Sequence, residues 1–293
     1  MAAAAETSAR TFHLSPKRPD IALPEGACDA HCHVFGPAAR FPYAPERTYT
    51  PVDVPKEHLF ALHRHLGLSR GVIVQASCHG SDNRALVDAL EAGGGRYRGI
   101  AMVKADVTEA ALRDLHAAGV RGVRFNFVRH LGAGAAFEAM RAVIKKIRPL
   151  GWHVVVHFDA DRLADLTAEL NSIPVPVVID HMGRPDASLG VAQKPFQLLL
   201  GLVRDGRFWV KVSGSERITR QGPPYDDAVP FARALMDAIP DRVLWGTDFP
   251  HPNIRPPIPD DGALVDLLAR IAPTPGEMQA LLVDNPTRLY WSE

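Results

Sequence analysis

No sign of charge dominates this 293-residue sequence, in which 33 Lys and Arg stand against 33 Asp and Glu. That balance argues against a nucleic-acid binder or a protein of anionic membrane surfaces, since each carries a basic excess or stripe. Cysteine is scarce. Cys28, Cys32 and Cys78 are too few for a disulfide framework, so a reducing cytoplasm is the expected setting. No apolar run approaches the roughly 18–20 residues needed to span a bilayer. Neither a Walker loop nor a dinucleotide fingerprint occurs, which leaves nucleotide binding without support. The first residues, Met1-Ala-Ala-Ala-Ala-Glu-Thr7, lack a signal pattern and read as a disordered tail. Wholesale disorder is excluded by the 46% hydrophobic and 23% charged content, ordinary for a globular protein.

What is present is an alternation. Short β-branched or apolar runs near 27–35, 71–76, 99–103, 122–127, 152–158, 175–180, 208–213 and 243–246 read as strands buried on both faces. Between them, stretches such as 83–92, 110–119, 137–147 and 163–170 repeat apolar residues at three- and four-residue spacing, the mark of amphipathic helices. Eight strand–helix units in a chain of this length predict an α/β fold, a single (β/α)8 TIM barrel, whose usual size is about 250 residues. A doubly wound open sheet is the alternative. The expected division is an extended N-terminal tail over 1–26 and one catalytic barrel over 27–293. Prolines, 25 in all, gather around predicted strand ends, which suits stiff loops on an active-site face.

Chemistry-bearing residues fall at those strand ends. In Asp29-Ala30-His31-Cys32-His33 the two histidines share a face, which makes half of a metal site, while Cys32 points away. His157 ends the fifth predicted strand, His181 follows the sixth and Asp248 follows the eighth. A barrel brings such ends to one mouth, so a catalytic site is expected there. Asp180 reads as structural, because neighbouring strand residues point to opposite faces. His58, His63, His65 and His116 fall on predicted helices and read as solvent-facing, and His79 and His251 as supporting groups near the mouth.

The ordered set Asp-Ala-His-x-His, His, His and Gly-Thr-Asp-x-Pro-His resembles the amidohydrolase superfamily. Finer runs resemble its 2-pyrone-4,6-dicarboxylate hydrolase-like lactonase branch: Asp29-Ala-His-Cys-His-Val-Phe-Gly-Pro37, Val74-Gln-Ala-Ser-Cys-His-Gly80, Gly122-Val-Arg-Phe-Asn-Phe127, Ile179-Asp-His-Met-Gly-Arg-Pro185 and Asn285-Pro-Thr-Arg-Leu-Tyr-Trp291. The resemblance runs in register from about residue 27 to the end. It implies a hydrolase that opens a small anionic lactone, dicarboxylated or sulfonated, in aromatic-compound catabolism, with the pyrone dicarboxylate as leading substrate. Two departures stand out. Where the pyrone enzymes carry an aromatic hydroxyl and work without metal, this chain has His157. Where they carry Lys-Arg, it has Arg129-His130.

The resemblance matches His31, His33, His157 and Asp248 to the zinc ligands of metal-using relatives, so one divalent ion, zinc before others, is expected per chain. The alternative is none. Lactone opening needs a deprotonated water and a polarised carbonyl. Asp248 is the natural general base, with His31, His33 and His181 polarising the carbonyl as hydrogen-bond donors or around a Zn²⁺. Arg124 and Arg217 are matched to substrate-binding arginines and would grip two acid groups. Tyr49 and Ser77 would add neutral donors, with Arg129, His130, Lys211 and Arg184 as weaker candidates. Other reactions open to the same barrel are zinc-dependent decarboxylation and sugar-acid lactone isomerisation. A non-catalytic dicarboxylate binder is the reading from another class. A small anionic lactone is the expected partner, with no nucleic acid and no membrane.

Overall fold

The computed structural model describes residues 9–127 and 133–292. Eight strands run in sequence order around one sheet. They are β1 Cys28–Cys32, β2 Arg70–Val74, β3 Tyr97–Ala101, β4 Val120–Asn126, β5 His153–His157, β6 Val177–Ile179, β7 Phe208–Lys211 and β8 Val243–Leu244. Every consecutive pair is parallel. Hydrogen bonds from Ala30 N to Trp245 O and from Asp248 N to His31 O, each 2.7 Å, tie the chain beyond β8 back to β1 and close the barrel. All eight predicted runs are strands, and the (β/α)8 expectation holds. β8 is shorter than its apolar run because the chain leaves the ladder at Trp245 to cross onto β1.

Two hydrophobic layers follow from alternation along each strand. Cys28, Ala30, Val72, Val74, Ile100, Val155, Val178, Trp209 and Leu244 fill the barrel, and Tyr290 packs under them. Tyr290 meets the ring of His153 edge-on at the start of β5, so the C-terminal segment plugs the base. The opposite strand faces pack against the helices. The helix Lys56–Leu66 buries Leu59, Leu62, His63 and Leu66, a spacing that gives one stripe, and ends at Gly67 in a left-handed conformation. Helices Glu109–Ala117 and Leu163–Ser172 fall where the periodicity predicts them, and Thr108 caps the first by accepting from Ala111 N.

The disordered-tail reading of residues 1–7 lies outside the described residues. Residues 9–26 hold no helix or strand, yet they pack on the barrel: Phe12 is buried edge-on against Phe249 at 5.2 Å, and Asp20 N donates to Asp266. Among the described residues, no helix is long and apolar enough to cross a membrane. The three cysteines are buried and free.

Candidate active site

Strand β1 carries a β-bulge. Asp29 pairs with Gly71 but Cys32 with Ile73, three steps on β1 against two on β2. The additional residue shifts the parity of the strand. Cys28 and Ala30 therefore fill the barrel, while His31 and His33 also reach its mouth and Cys32 turns outward to Val72 O. The segment after β8 lies directly on this bulge. A Cβ on Gly246 would sit 2.3 Å from His31 N, so only glycine allows the crossing. Buried Asp29 fastens the two segments, accepting from His31 N at 2.9 Å, Thr247 N at 3.1 Å and Thr247 Oγ1 at 2.6 Å. His63 Nε2 lies 3.2 Å from Asp29 Oδ2, the oxygen that accepts from Thr247 Oγ1, and His63 Nδ1 3.0 Å from Tyr97 Oη. The solvent-facing expectation for His63 is thus corrected: it is buried on the barrel side of its helix. His116 is half-buried, stacked on Trp152 and accepting its indole N–H, and His65 is half-buried with a ring nitrogen at Pro16 O; His58 is exposed as expected.

Asp248, at a left-handed φ of 62°, is delivered into the mouth. Its Oδ1 is 3.2 Å from His33 Nε2, 3.5 Å from His31 Nε2 and 3.8 Å from His181 Nε2. Arg217 Nε and Nη2 both close on Oδ2. Burial alone would raise the Asp248 carboxyl, but Arg217 with the histidines outweighs it and holds the group well below the ordinary carboxylate range. Burial pushes His31 down to about 4, helped by the Lys211 ammonium, and pushes His181 well below its usual value. His31 and His181 are thus neutral groups around a fixed carboxylate.

Asp180 is not the outward structural residue that alternation suggests. Val178 points into the barrel, so Asp180 does too, and the chain then leaves the extended region at His181, φ 51°. His181, Met182, Gly183 and Arg184 all have positive φ, and this left-handed turn swings His181 back to the mouth beside Asp180. Such conformations cost of order 1–3 kcal/mol per non-glycine residue and persist where packing over-determines them. Gly214 leaves room for the ring, since its Cβ would lie 2.8 Å from that of His181. Asp180 anchors a buried cation set: Arg124 Nε at 3.0 Å and Lys211 Nζ at 3.1 Å. Lys211 Nζ is also 2.9 Å from His31 Nδ1. Lys211 is therefore central, fully buried, with its ammonium pKa lowered by that burial.

His157 stands apart from the trio around Asp248. Its Nδ1 is 3.0 Å from Arg124 Nη2 and its Nε2 3.3 Å from Arg184 Nη1. Burial, then the Arg124 charge, holds its pKa well below normal. Tyr49 lies beside Ser77 and packs edge-on to Phe35, which stacks on His33, so both predicted neutral donors stand near the β1 histidines. Arg129 and His130 lie outside the described residues. His79 and His251 support the mouth as expected: His79 Nε2 accepts from Gly36 N at 3.0 Å, and His251 Nε2 meets Asp261 at 3.1 Å. Sequence reasoning missed Glu216, buried beside Arg217 and 3.9 Å from His251 Nδ1, because a single glutamate next to an arginine reads as a surface pair.

A donor set at the mouth fits a divalent ion. His31, His33 and Asp248 offer ligand atoms within 4.8 Å of one another. His33 Nδ1 sits 2.8 Å from Val74 O, and donation there leaves Nε2 as a lone pair. His31 Nε2 is buried and makes no hydrogen bond among the described residues, and it would offer a lone pair where Nδ1 donates to Asp180 Oδ1, 3.2 Å away, instead of accepting from Lys211. Two imidazoles and a carboxylate with an open position are donors zinc accepts. The expected fourth ligand, His157, is not brought to this set, because both its ring nitrogens face guanidinium groups.

The amidohydrolase family model matches residues 28–291. The chain is 51% identical over 291 residues to the 2-pyrone-4,6-dicarboxylate hydrolase of Comamonas testosteroni, covering 96% of this chain and 95% of that protein. It is 45% identical over 276 residues to the 4-sulfomuconolactone hydrolase of Rhizobium radiobacter, covering 92% and 91%. A crystal structure of an Agrobacterium tumefaciens protein in its apo form matches with a TM-score of 0.82 at 29% identity, over 94% of this chain and 99% of that one. The matches span the whole barrel. The chain belongs to the amidohydrolase family, in the branch of 2-pyrone-4,6-dicarboxylate hydrolase.

Proposed function

We propose that this chain is a hydrolase that opens a small lactone bearing two acid groups, with 2-pyrone-4,6-dicarboxylate as the leading substrate. The observation that carries the reading is the surrounding of Asp248: three imidazoles on one oxygen and a guanidinium on the other. The 51% identity to the Comamonas enzyme supports the choice of substrate. Asp248 takes the proton of the attacking water and later returns it to the ring oxygen as that bond breaks. The N–H groups of His31 and His181 polarise the lactone carbonyl and hold the negative charge that develops on its oxygen, with His33 set against Asp248. Arg124 and Arg217 bind the acid groups, Tyr49 and Ser77 add neutral hydrogen bonds, and Arg129 and His130 are further candidates for substrate binding.

Arg217 has a second effect in this scheme. An acid group of the substrate competes with Asp248 for the guanidinium, and the released carboxylate becomes the stronger base. A divalent ion, zinc by the donor set, would be held by His31, His33 and Asp248 and would supply Lewis acidity at the carbonyl. The 45% identity to a sulfomuconolactone hydrolase supports a sulfonated lactone as the second substrate to try. Three buried, unpaired thiols suit a reducing cytoplasm.

The test is loss of ring absorbance in a panel of carboxylated and sulfonated lactones, run with and without chelator. Turnover of the dicarboxylated pyrone well above that of its monocarboxylated analogue is expected. Absence of turnover on every lactone would remove the hydrolase reading.

A further inference from the structure

His157 lies between two guanidinium groups, with Arg124 Nη2 at 3.0 Å from one ring nitrogen and Arg184 Nη1 at 3.3 Å from the other. A neutral imidazole has one lone pair and one N–H, and a guanidinium has only donors. One of the two contacts therefore sets N–H against N–H. The other tautomer moves the conflict to the second arginine, and protonation doubles it. An anion placed between the guanidinium groups relieves the conflict in every case, because both arginines can turn a donor to it.

We propose that Arg184 is a specificity-determining residue, forming with Arg124 an anion subsite across His157 that binds the substrate acid group remote from the reacting carbonyl. The inference rests on the dianionic lactone proposed above and adds the residue that reads its second charge. Position supports the assignment. Arg184 belongs to the left-handed turn that also delivers His181, so its backbone is fixed relative to the reacting centre. The His157 ring is 5.7 Å from that of His181, which faces Asp248. The subsite thus sits one ring beyond the centre where Arg217 already grips Asp248.

Capacity supports it too. Arg124 uses Nε on Asp180, and Arg184 uses Nη1 on Asp159 at 3.0 Å. Among the described residues, Arg124 Nη1 and Arg184 Nη2 have no hydrogen-bond partner. Arg184 is 31% exposed whereas Arg124 is 7% exposed, so Arg184 forms the open side by which an anion enters. A guanidinium paired with Asp159 alone would not need to reach His157.

The experiment compares Arg184→Met with the unmodified enzyme on a dicarboxylated lactone and on its analogue lacking the remote acid group. The variant is expected to raise KM at least tenfold on the diacid, change kcat less than threefold, and leave the monoacid KM within twofold. Calorimetric titration with a non-hydrolysable pyridine dicarboxylate, and with the matching monocarboxylate, provides a readout free of turnover. There Arg184→Met should weaken the diacid tenfold or more and spare the monoacid. Asp159→Asn, which frees the guanidinium, should tighten the diacid. Equal effects of Arg184→Met on both ligands, or no effect on either, would overturn the assignment, as would Asp159→Asn weakening the diacid. An enzyme that hydrolyses no lactone but shows the calorimetric pattern would lose the proposed function and keep the subsite.

Discussion

Arg217 lays two of its nitrogens on a single oxygen of Asp248, leaving the other oxygen to His31, His33 and His181. The carboxylate is thus both the centre of the site and its most restrained group. A general base works best with a pKa near the operating pH. This one is held far lower until something draws the guanidinium away.

Replacing Asp248 by Asn keeps the shape and removes the proton acceptor. Turnover should fall by about a hundredfold or more, the scale of general-base contributions. Binding of a dicarboxylate inhibitor, followed by calorimetry, should survive. Near-normal turnover would move the base to one of the histidines.

Arg217→Met should act twice. Charge-assisted hydrogen bonds to a carboxylate are each worth roughly 1.5–3 kcal/mol net, so KM on a dicarboxylated lactone should rise about ten- to a hundredfold. Removing a cation from Asp248 raises its pKa, so the acid limb of kcat/KM should move to higher pH. A variant with raised KM and an unmoved acid limb would show that Arg217 binds substrate without tuning the base.

Metal content is a separate measurement. Elemental analysis of the purified protein is expected to find about one divalent ion per chain, lost in His31→Ala and His33→Ala but retained in His157→Ala. Metal-free protein with full, chelator-insensitive activity would falsify this and assign carbonyl polarisation to imidazole N–H groups alone.

Glu216 predicts a pH signature of stability. Burial, foremost, raises its carboxyl from an ordinary 4.5 to about 7. Between those values the native chain binds more protons there than the unfolded chain, so its stability contribution falls as pH rises and is fully lost above about 7. Glu216→Gln should remove that slope. The melting-temperature difference, variant minus unmodified protein, should grow from pH 4.5 to 7 and then level off. Neutral His31 and His153, held down to about 4 and about 3 by burial, stabilise above their unfolded pKa of 6.5 and lose this as pH falls. They are common to both proteins and cancel in the difference. Parallel melting curves would deny Glu216 its proton.

The strands, the helices between them and the convergence of His31, His33, His181 and Asp248 were legible because each rests on local pattern: apolar runs, periodic stripes and residues at strand ends. Errors arose where the backbone leaves regular geometry. Strict alternation sent Asp180 outward, since nothing in Asp180-His181-Met182 announces three non-glycine residues at positive φ on the way to Arg184. His63 was legible and missed. Leu59, Leu62, His63 and Leu66 share one stripe, and that spacing places the imidazole against the barrel, where Asp29 and Tyr97 receive it. His157 shows the limit of position as a guide, because a strand-end histidine can serve arginines as readily as a metal.

The extra residue in β1 makes the strand behave like a reading frame. Upstream of it, even-numbered side chains face the barrel axis; downstream, odd-numbered ones do. If the same residues ran through β1 in strict alternation, without the bulge, every other strand would stay in place, yet both imidazoles would face the helix layer and the thiol would turn toward Asp248. A chain with the same composition and nearly the same fold would then have no reaction centre. The identity of the enzyme hangs on a single insertion as much as on any side chain.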